Sequence, residues 1–182
     1  MKGVIVMKTK NLFAVLTSFL LFLSLFSCSK KVQQEEEYVE PKTPLESLIE
    51  EAEIGRKKAQ YKLGCVYFFE TDAKKYRAQL DVQKAIYWLQ KAGEQNHAEA
   101  LCLLGQIYLQ KTWVPRDYGK AFECLTKASD LGNAYAQFKL GQMYESGSGV
   151  KEDDKKALEL FKKAAEGGVE EAAAYVRIME KK

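Results

Sequence analysis

The chain of 182 residues contains one histidine, His97, and four cysteines, Cys28, Cys65, Cys102 and Cys124. No Cys or His stands at ligand spacing from another, so a zinc site has no donor set to draw on. A lone histidine also leaves little for proton-transfer chemistry, and His97, lying between two helical stretches, reads as a solvated turn residue. Carboxylates do pair, at Glu50-Glu51, Asp153-Asp154 and Glu170-Glu171, but each pair falls at a helix start or on a polar face, where capping and the helix dipole account for it. The stretch Gly147-Ser148-Gly149 lacks the Lys-Ser/Thr of a phosphate-binding loop and reads as a turn. No catalytic residue, metal ligand, cofactor or small-molecule substrate is expected.

Charge of one sign is missing as well. The chain carries 28 basic and 25 acidic residues, a formal +3. Three of the lysines, Lys2, Lys8 and Lys10, lie in the first ten residues, and without them the balance is 25 against 25. No basic stripe remains for nucleic acid, and no polybasic patch for an anionic membrane surface. Beyond Ser27 there is no long apolar run.

What is abundant is self-similarity. KAIYWLQKA from Lys84, KAFECLTKA from Lys120 and KALELFKKA from Lys156 recur every 36 residues. A second motif runs in step: AQYKLGCVY from Ala59, ALCLLGQIY from Ala100 and AQFKLGQMY from Ala136, at spacings of 41 and 36. The five extra residues of the first unit fall in Glu70 to Leu80, a polar stretch that reads as an extended loop. Ala172 to Glu180 is a degenerate fourth copy, with Arg177 at the glycine register. Periods in this range mark arrays of helical hairpins. Ala59, Leu63, Val66 and Tyr67 share one helical face, as do Ala85, Trp88, Leu89 and Ala92. Asp81, Asp117 and Asp153 each precede a Lys-Ala pair by three residues and are suited to cap a helix start. Asn96, Gly132 and Gly168 stand where a left-handed residue ends a helix. Gly64, Gly105 and Gly141 sit inside helices, where glycine costs about 0.8–1 kcal/mol against alanine. A cost repeated at one register implies a neighbouring helix too close for a side chain.

The motifs A-x-x-x-L-G-x-x-Y, G-x-G-V-x-x-D-x-x-K-A and K-A-x-x-W-x-x-K-A resemble the Sel-like repeat, a relative of the tetratricopeptide repeat. The third unit matches throughout, with Leu140, Gly141, Tyr144, Gly147, Gly149, Val150, Asp153, Lys156 and Ala157. In the second, Lys111 and Trp113 replace the loop glycines; in the first, the insertion replaces the loop. The resemblance covers residues 44–182 and implies an all-α, right-handed superhelical α-solenoid: three full hairpins at about 57–96, 98–132 and 134–168, a leading helix over Pro44–Ala52 and a terminal helix over 170–182. It also implies a protein or peptide partner chosen by variable surface residues. Cysteine-rich relatives staple each hairpin with a disulfide, but the corresponding positions here are of the Gly93 and Gln60 type, so that scaffold is not expected. Cys65, Cys102 and Cys124 cannot all pair and read as small core hydrophobes, Cys124 at the register of Trp88 and Leu160.

At the N-terminus, Lys8 and Lys10 precede an apolar and hydroxyl run from Leu12 to Ser27, short for a membrane span and suited to a secretory leader. It ends Leu25-Phe26-Ser27-Cys28, which resembles the lipobox of bacterial lipoproteins with Phe26 bulkier than usual. The resemblance implies a signal peptide over 1–27, lipidation of Cys28 and an anchor in a bacterial envelope membrane, with an uncleaved signal anchor as the rival reading and Met7 as an alternative start. Residues 28–43 are polar and charged, and are expected to form a disordered tether reaching about 20 Å.

If the hairpins stack as tetratricopeptide units do, the first helix of each lines a concave side. Tyr61, Cys65, Phe68 and Phe69, then Cys102, Gln106, Leu109 and Gln110, then Phe138, Gln142 and Glu145 fall on it. Of these, Tyr61, Phe68, Phe69, Gln106, Leu109, Phe138 and Gln142 are the candidate partner-binding residues. The surface they suggest is aromatic, amide-bearing and poor in charge. Packing between adjacent helices is the competing explanation for Phe68, Phe69 and Phe138. The function these features imply is a lipid-anchored adaptor or scaffold, not an enzyme; an envelope hydrolase acting on peptidoglycan or β-lactams, or an assembly factor for a membrane complex, are the alternatives.

Overall fold

The structure is a computed structural model, and it describes residues 42–181. The expected signal peptide, Cys28 and all but the last two residues of the tether lie outside the described residues. Within them the chain is all-α, with nine helices in sequence: α1 Pro44–Glu53, α2 Lys57–Phe68, α3 Glu70–Tyr76, α4 Val82–Glu94, α5 Ala98–Leu109, α6 Tyr118–Asp130, α7 Ala134–Ser146, α8 Asp154–Glu166 and α9 Glu170–Met179. Helices α2 with α4, α5 with α6 and α7 with α8 form three stacked hairpins, while α1 packs on α2 at one end and α9 on α8 at the other. The molecule is an α-solenoid.

Each hairpin is made by the same few devices. Asp81, Asp117 and Asp153 adopt extended backbone and accept, through the side chain, the amides of Lys84, Lys120 and Lys156 at 3.0 Å. Their own amides donate to the carbonyls of Tyr67, Tyr108 and Tyr144 at 2.9, 3.0 and 3.0 Å, pinning the start of the second helix to the end of the first. The lysine of each Lys-Ala pair then extends over the ring of that tyrosine: Lys84 over Tyr67, Lys120 over Tyr108 and Lys156 over Tyr144, with Nζ 5.3–5.4 Å from the ring centre. The repeated Tyr and Lys are thus two halves of one contact, a relationship that spacing alone did not reveal. At the far end of the second helix Asn96, Gly132 and Gly168 have φ of 57°, 84° and 91°, as the C-terminal signals predict.

The core is built from equivalent registers. Ala85, Ala121 and Ala157 are fully buried, as are Leu89, Leu125 and Phe161, and then Ala92, Ala128 and Ala164. A Cβ on Gly64 would stand 2.7 Å from Leu89, on Gly105 2.5 Å from Leu125 and on Gly141 2.8 Å from Phe161. The three glycines therefore exist for the crossing, as their recurrence predicts. Arg177, at the same register of α9, is exposed, and no other helix among the described residues crosses there.

Two expectations are corrected. Glu70 to Leu80 is not a loop throughout: Glu70–Tyr76 forms the seven-residue helix α3, with acids Glu70 and Asp72 in its first turn, Lys74 and Lys75 in its last, and Ala73 buried. Its single apolar anchor is too little to show periodicity. Cys124 is not at the core register either; like Trp88 and Leu160 it is half-buried, one residue before the fully buried Leu125. Cys65, Cys102 and Cys124 are free thiols.

Candidate functional site

The first helices of the hairpins lie side by side, and their outward registers form a face running from α2 through α5 to α7. The candidate residues on it do not behave alike. Tyr61, Phe68 and Leu109 are half-buried against the central core, and Phe69 is 41% exposed. Phe68 sits between two rings, edge-on to Phe69 at 5.0 Å and to Trp113 at 5.6 Å between centroids. Trp113 itself, in the connection between α5 and α6, is 48% exposed. Phe68, Phe69 and Trp113 thus form one aromatic patch, with Trp113 the member that loop position concealed in the sequence.

Phe138 departs from the expected groove. It is 5% exposed and packs on Phe161 and Tyr175, with centroids at 5.8 and 5.4 Å, so it belongs to the C-terminal core. The terminal helix α9 supplies Tyr175, which covers the Phe138 ring. Gln142 is tied into the same cap: its Nε2 donates to Tyr175 Oη at 3.1 Å and its Oε1 accepts from Lys139 at 3.2 Å. Gln106 is half-buried and its amide lies 3.4 Å from its own helix's Cys102 carbonyl and thiol. Of the seven candidates, Phe68 and Phe69 share the aromatic patch, Tyr61 lines the other end of α2, Leu109 and Gln106 are half-buried on α5, and Phe138 and Gln142 belong to the C-terminal cap.

At the other end of α2 lies an open cavity of about 740 Å³, lined by Lys57, Lys58, Tyr61, Lys62, Cys65, Asp72, His97, Glu99 and Leu131 among others. Here the charge-poor expectation fails, because three lysines border it. His97 is not a solvated turn residue: its side chain is 11% exposed and its ring stacks on Tyr61 at 4.6 Å and 26°. Nδ1 is 3.1 Å from Glu99 Oε2, yet lies off the line of a hydrogen bond and is sealed from solvent without a partner. Burial holds the imidazole below its ordinary pKa, Glu99 opposes that, and Lys57 and Lys58 reinforce it.

Cys65 and His97 line the same cavity, which raises the question of a thiolate nucleophile. Burial raises the Cys65 thiol, Tyr61 partly offsets this by hydrogen bonding, and Asp72 raises it further. An activated cysteine needs the opposite environment. Burial likewise raises Tyr61, with Cys65 adding to the effect, and Cys102 is pushed up to about 11. Burial thus favours the uncharged form of each of these groups. Among the described residues no cluster of three or more His, Cys, Asp or Glu could hold a metal ion, and no helix is long and apolar enough to cross a membrane.

Repeated hairpins with a flanking helix at each end of the described residues define a helical-repeat protein of the solenoid class. Residues 57–97, 98–133 and 134–169 each match the Sel1 repeat, together more than half of the chain, and the protein belongs to that family. The fold is similar to that of a Sel1 repeat protein from Oxalobacter formigenes, at 30% identity and a TM-score of 0.65, covering 75% of this chain and 98% of that one. It is similar to c5321, a protective antigen of uropathogenic Escherichia coli strains with an SLR fold, at 36% identity and a TM-score of 0.65; the match covers 72% of this chain and 27% of that one. Helicobacter pylori cysteine rich protein B is 27% identical, with a TM-score of 0.55 over 73% of this chain and 97% of that one. No curated protein matches the chain.

Proposed function

We propose that this protein is a scaffold held at a bacterial cell-envelope membrane by lipid on Cys28, and that it binds a protein or peptide along the face of α2 and α5. Proteins built from Sel1 repeats are generally scaffolds for protein–protein interaction. The observation that carries the reading for this chain is the patch of Phe68, Phe69 and Trp113, two of whose rings are more than 40% exposed while the third is wedged between them. Exposed aromatic clusters are typical anchors for a partner. The Leu-Phe-Ser-Cys ending of the apolar run supports the anchor. Three acyl chains, at about 0.8 kcal/mol per buried methylene, would hold the protein at the membrane essentially permanently.

Two experiments test the two halves. Growth with a labelled fatty acid should mark the wild type and leave Cys28→Ala unlabelled; equal labelling removes the anchor. Crosslinking in the native host should capture a protein that Phe69→Ala and Trp113→Ala lose. Capture unaffected by both substitutions would remove the patch from the interface.

A further inference from the structure

We infer that the partner engages the α2 face as an extended acidic peptide, with an apolar side chain on the Phe68–Phe69–Trp113 patch and carboxylates in the cavity at Lys57, Lys58 and Lys62. This rests on the scaffold reading and specifies the chemistry of its ligand. Lys58, Tyr61, Cys65 and Phe68 are spaced by three, four and three, so the cavity and the aromatic patch lie on one side of the same helix. Ten residues of α-helix separate Lys58 from Phe68, about 15 Å. An extended chain covers that distance in about four or five residues.

Charge complementarity sets the sign of the ligand at the cavity end. Three lysines face it against two acids, Asp72 on α3 and Glu99 on α5. The cavity also receives two helix starts whose amides no side chain caps: Arg56 before α2 and His97 before α5 make no capping bond. The equivalent residue before α7, Asn133, accepts the amide of Ala136 at 2.8 Å. Uncapped amides and the positive ends of two helix dipoles add to the lysines in favouring a carboxylate. The Tyr61–His97 stack and Leu131, which is 45% exposed, supply apolar surface for the peptide stem.

The test uses the full chain in detergent micelles and fluorescein-labelled peptides with blocked ends, each bearing one Phe and, four residues later, a pair of Glu, Gln or Lys. A fourth peptide carries Gln in the pair position and a free C-terminal carboxylate, which separates a side-chain from a terminal carboxylate as the source. Fluorescence anisotropy should show the Glu peptide binding about tenfold tighter than the blocked Gln and the free-carboxylate peptides at low salt, with the advantage shrinking as salt rises. Reversing charge with Lys57→Glu and Lys58→Glu, both exposed positions, should shift preference to the Lys peptide in a protein that still unfolds cooperatively. Equal binding of the Glu, Gln and free-carboxylate peptides would overturn the inference, as would binding of none of them. In the first of those outcomes, weakening by Phe69→Ala would still leave the scaffold reading standing.

Discussion

A Cβ on Gly105 would stand 2.5 Å from Cγ of Leu125 and 3.4 Å from the carbonyl oxygen of Ala121. The glycine on α5 and the leucine on α6 therefore occupy one volume between them, and the same exchange recurs at Gly64 with Leu89 and at Gly141 with Phe161. Close packing leaves no slack to absorb a side chain there. Gly105→Leu should destabilise the protein by about 1–3 kcal/mol, or more where backbone must move. Thermal unfolding should show a clearly lowered midpoint. Combining Gly105→Ala with Leu125→Ala should recover part of the loss that the two single variants sum to, because the pair shares its space; strict additivity would mean the helices adjust independently.

The three capping aspartates predict a smaller, uniform effect. Asp117 accepts the amide of Lys120, and that bond is the main cause holding its carboxyl below the usual range. Asp117→Ala should lower stability measurably, and Asp117→Asn only by a small part of that. Because the folded state depresses the pKa, the carboxylate's contribution is present above the unfolded value and fades as pH falls through the folded one. The stability difference between wild type and Asp117→Ala, measured by denaturant unfolding, should therefore shrink in acid. A constant difference would assign the effect to the backbone instead.

Much of this fold could be read from spacing because its devices are local. A cap lies three residues from its amide, a left-handed residue ends its own helix, and a crossing glycine repeats at a fixed register. Helix α3 escaped because a seven-residue polar segment with Ala73 as its one buried residue has no period to detect. The candidate surface was less legible, since its partners are distant in the chain. Phe68 meets Trp113 across 45 residues and Tyr61 meets His97 across 36, contacts fixed by how one hairpin leans on the next. Phe138 was misplaced for a related reason: Tyr175 of the terminal helix, 37 residues further along the chain, closes over it.

His97 gives a prediction with the opposite structural origin from Asp117 and the same direction in pH. Burial, the largest cause, favours the neutral imidazole; Lys57 and Lys58 reinforce it and Glu99 opposes it. The unfolded chain takes up the proton near pH 6.5, so the contribution of His97 to stability is present above that value and is lost as pH falls through the folded pKa. Melting temperatures measured between about pH 7 and pH 5 should fall in the wild type. His97→Phe, which retains a ring to stack on Tyr61, should flatten that part of the profile. An unchanged slope in the variant would move the pH dependence to the carboxylates.

The aromatic residues divide into two classes that one series of substitutions separates. Phe138 is 5% exposed and touches Phe161 and Tyr175, so Phe138→Ala should remove core volume and cost about 3–5 kcal/mol. Phe69 and Trp113 are 41% and 48% exposed, so a large part of each is already in water. Their truncation to alanine should leave thermal unfolding within about 1 kcal/mol of wild type while weakening the captured partner. Phe68 stands between the classes: half-buried against the central core and edge-on to both exposed rings, it should lose stability and binding together. If Phe69→Ala and Trp113→Ala instead destabilise as strongly as Phe138→Ala, the patch is an outlying part of the core. The partner must then be sought at the lysine-lined cavity alone.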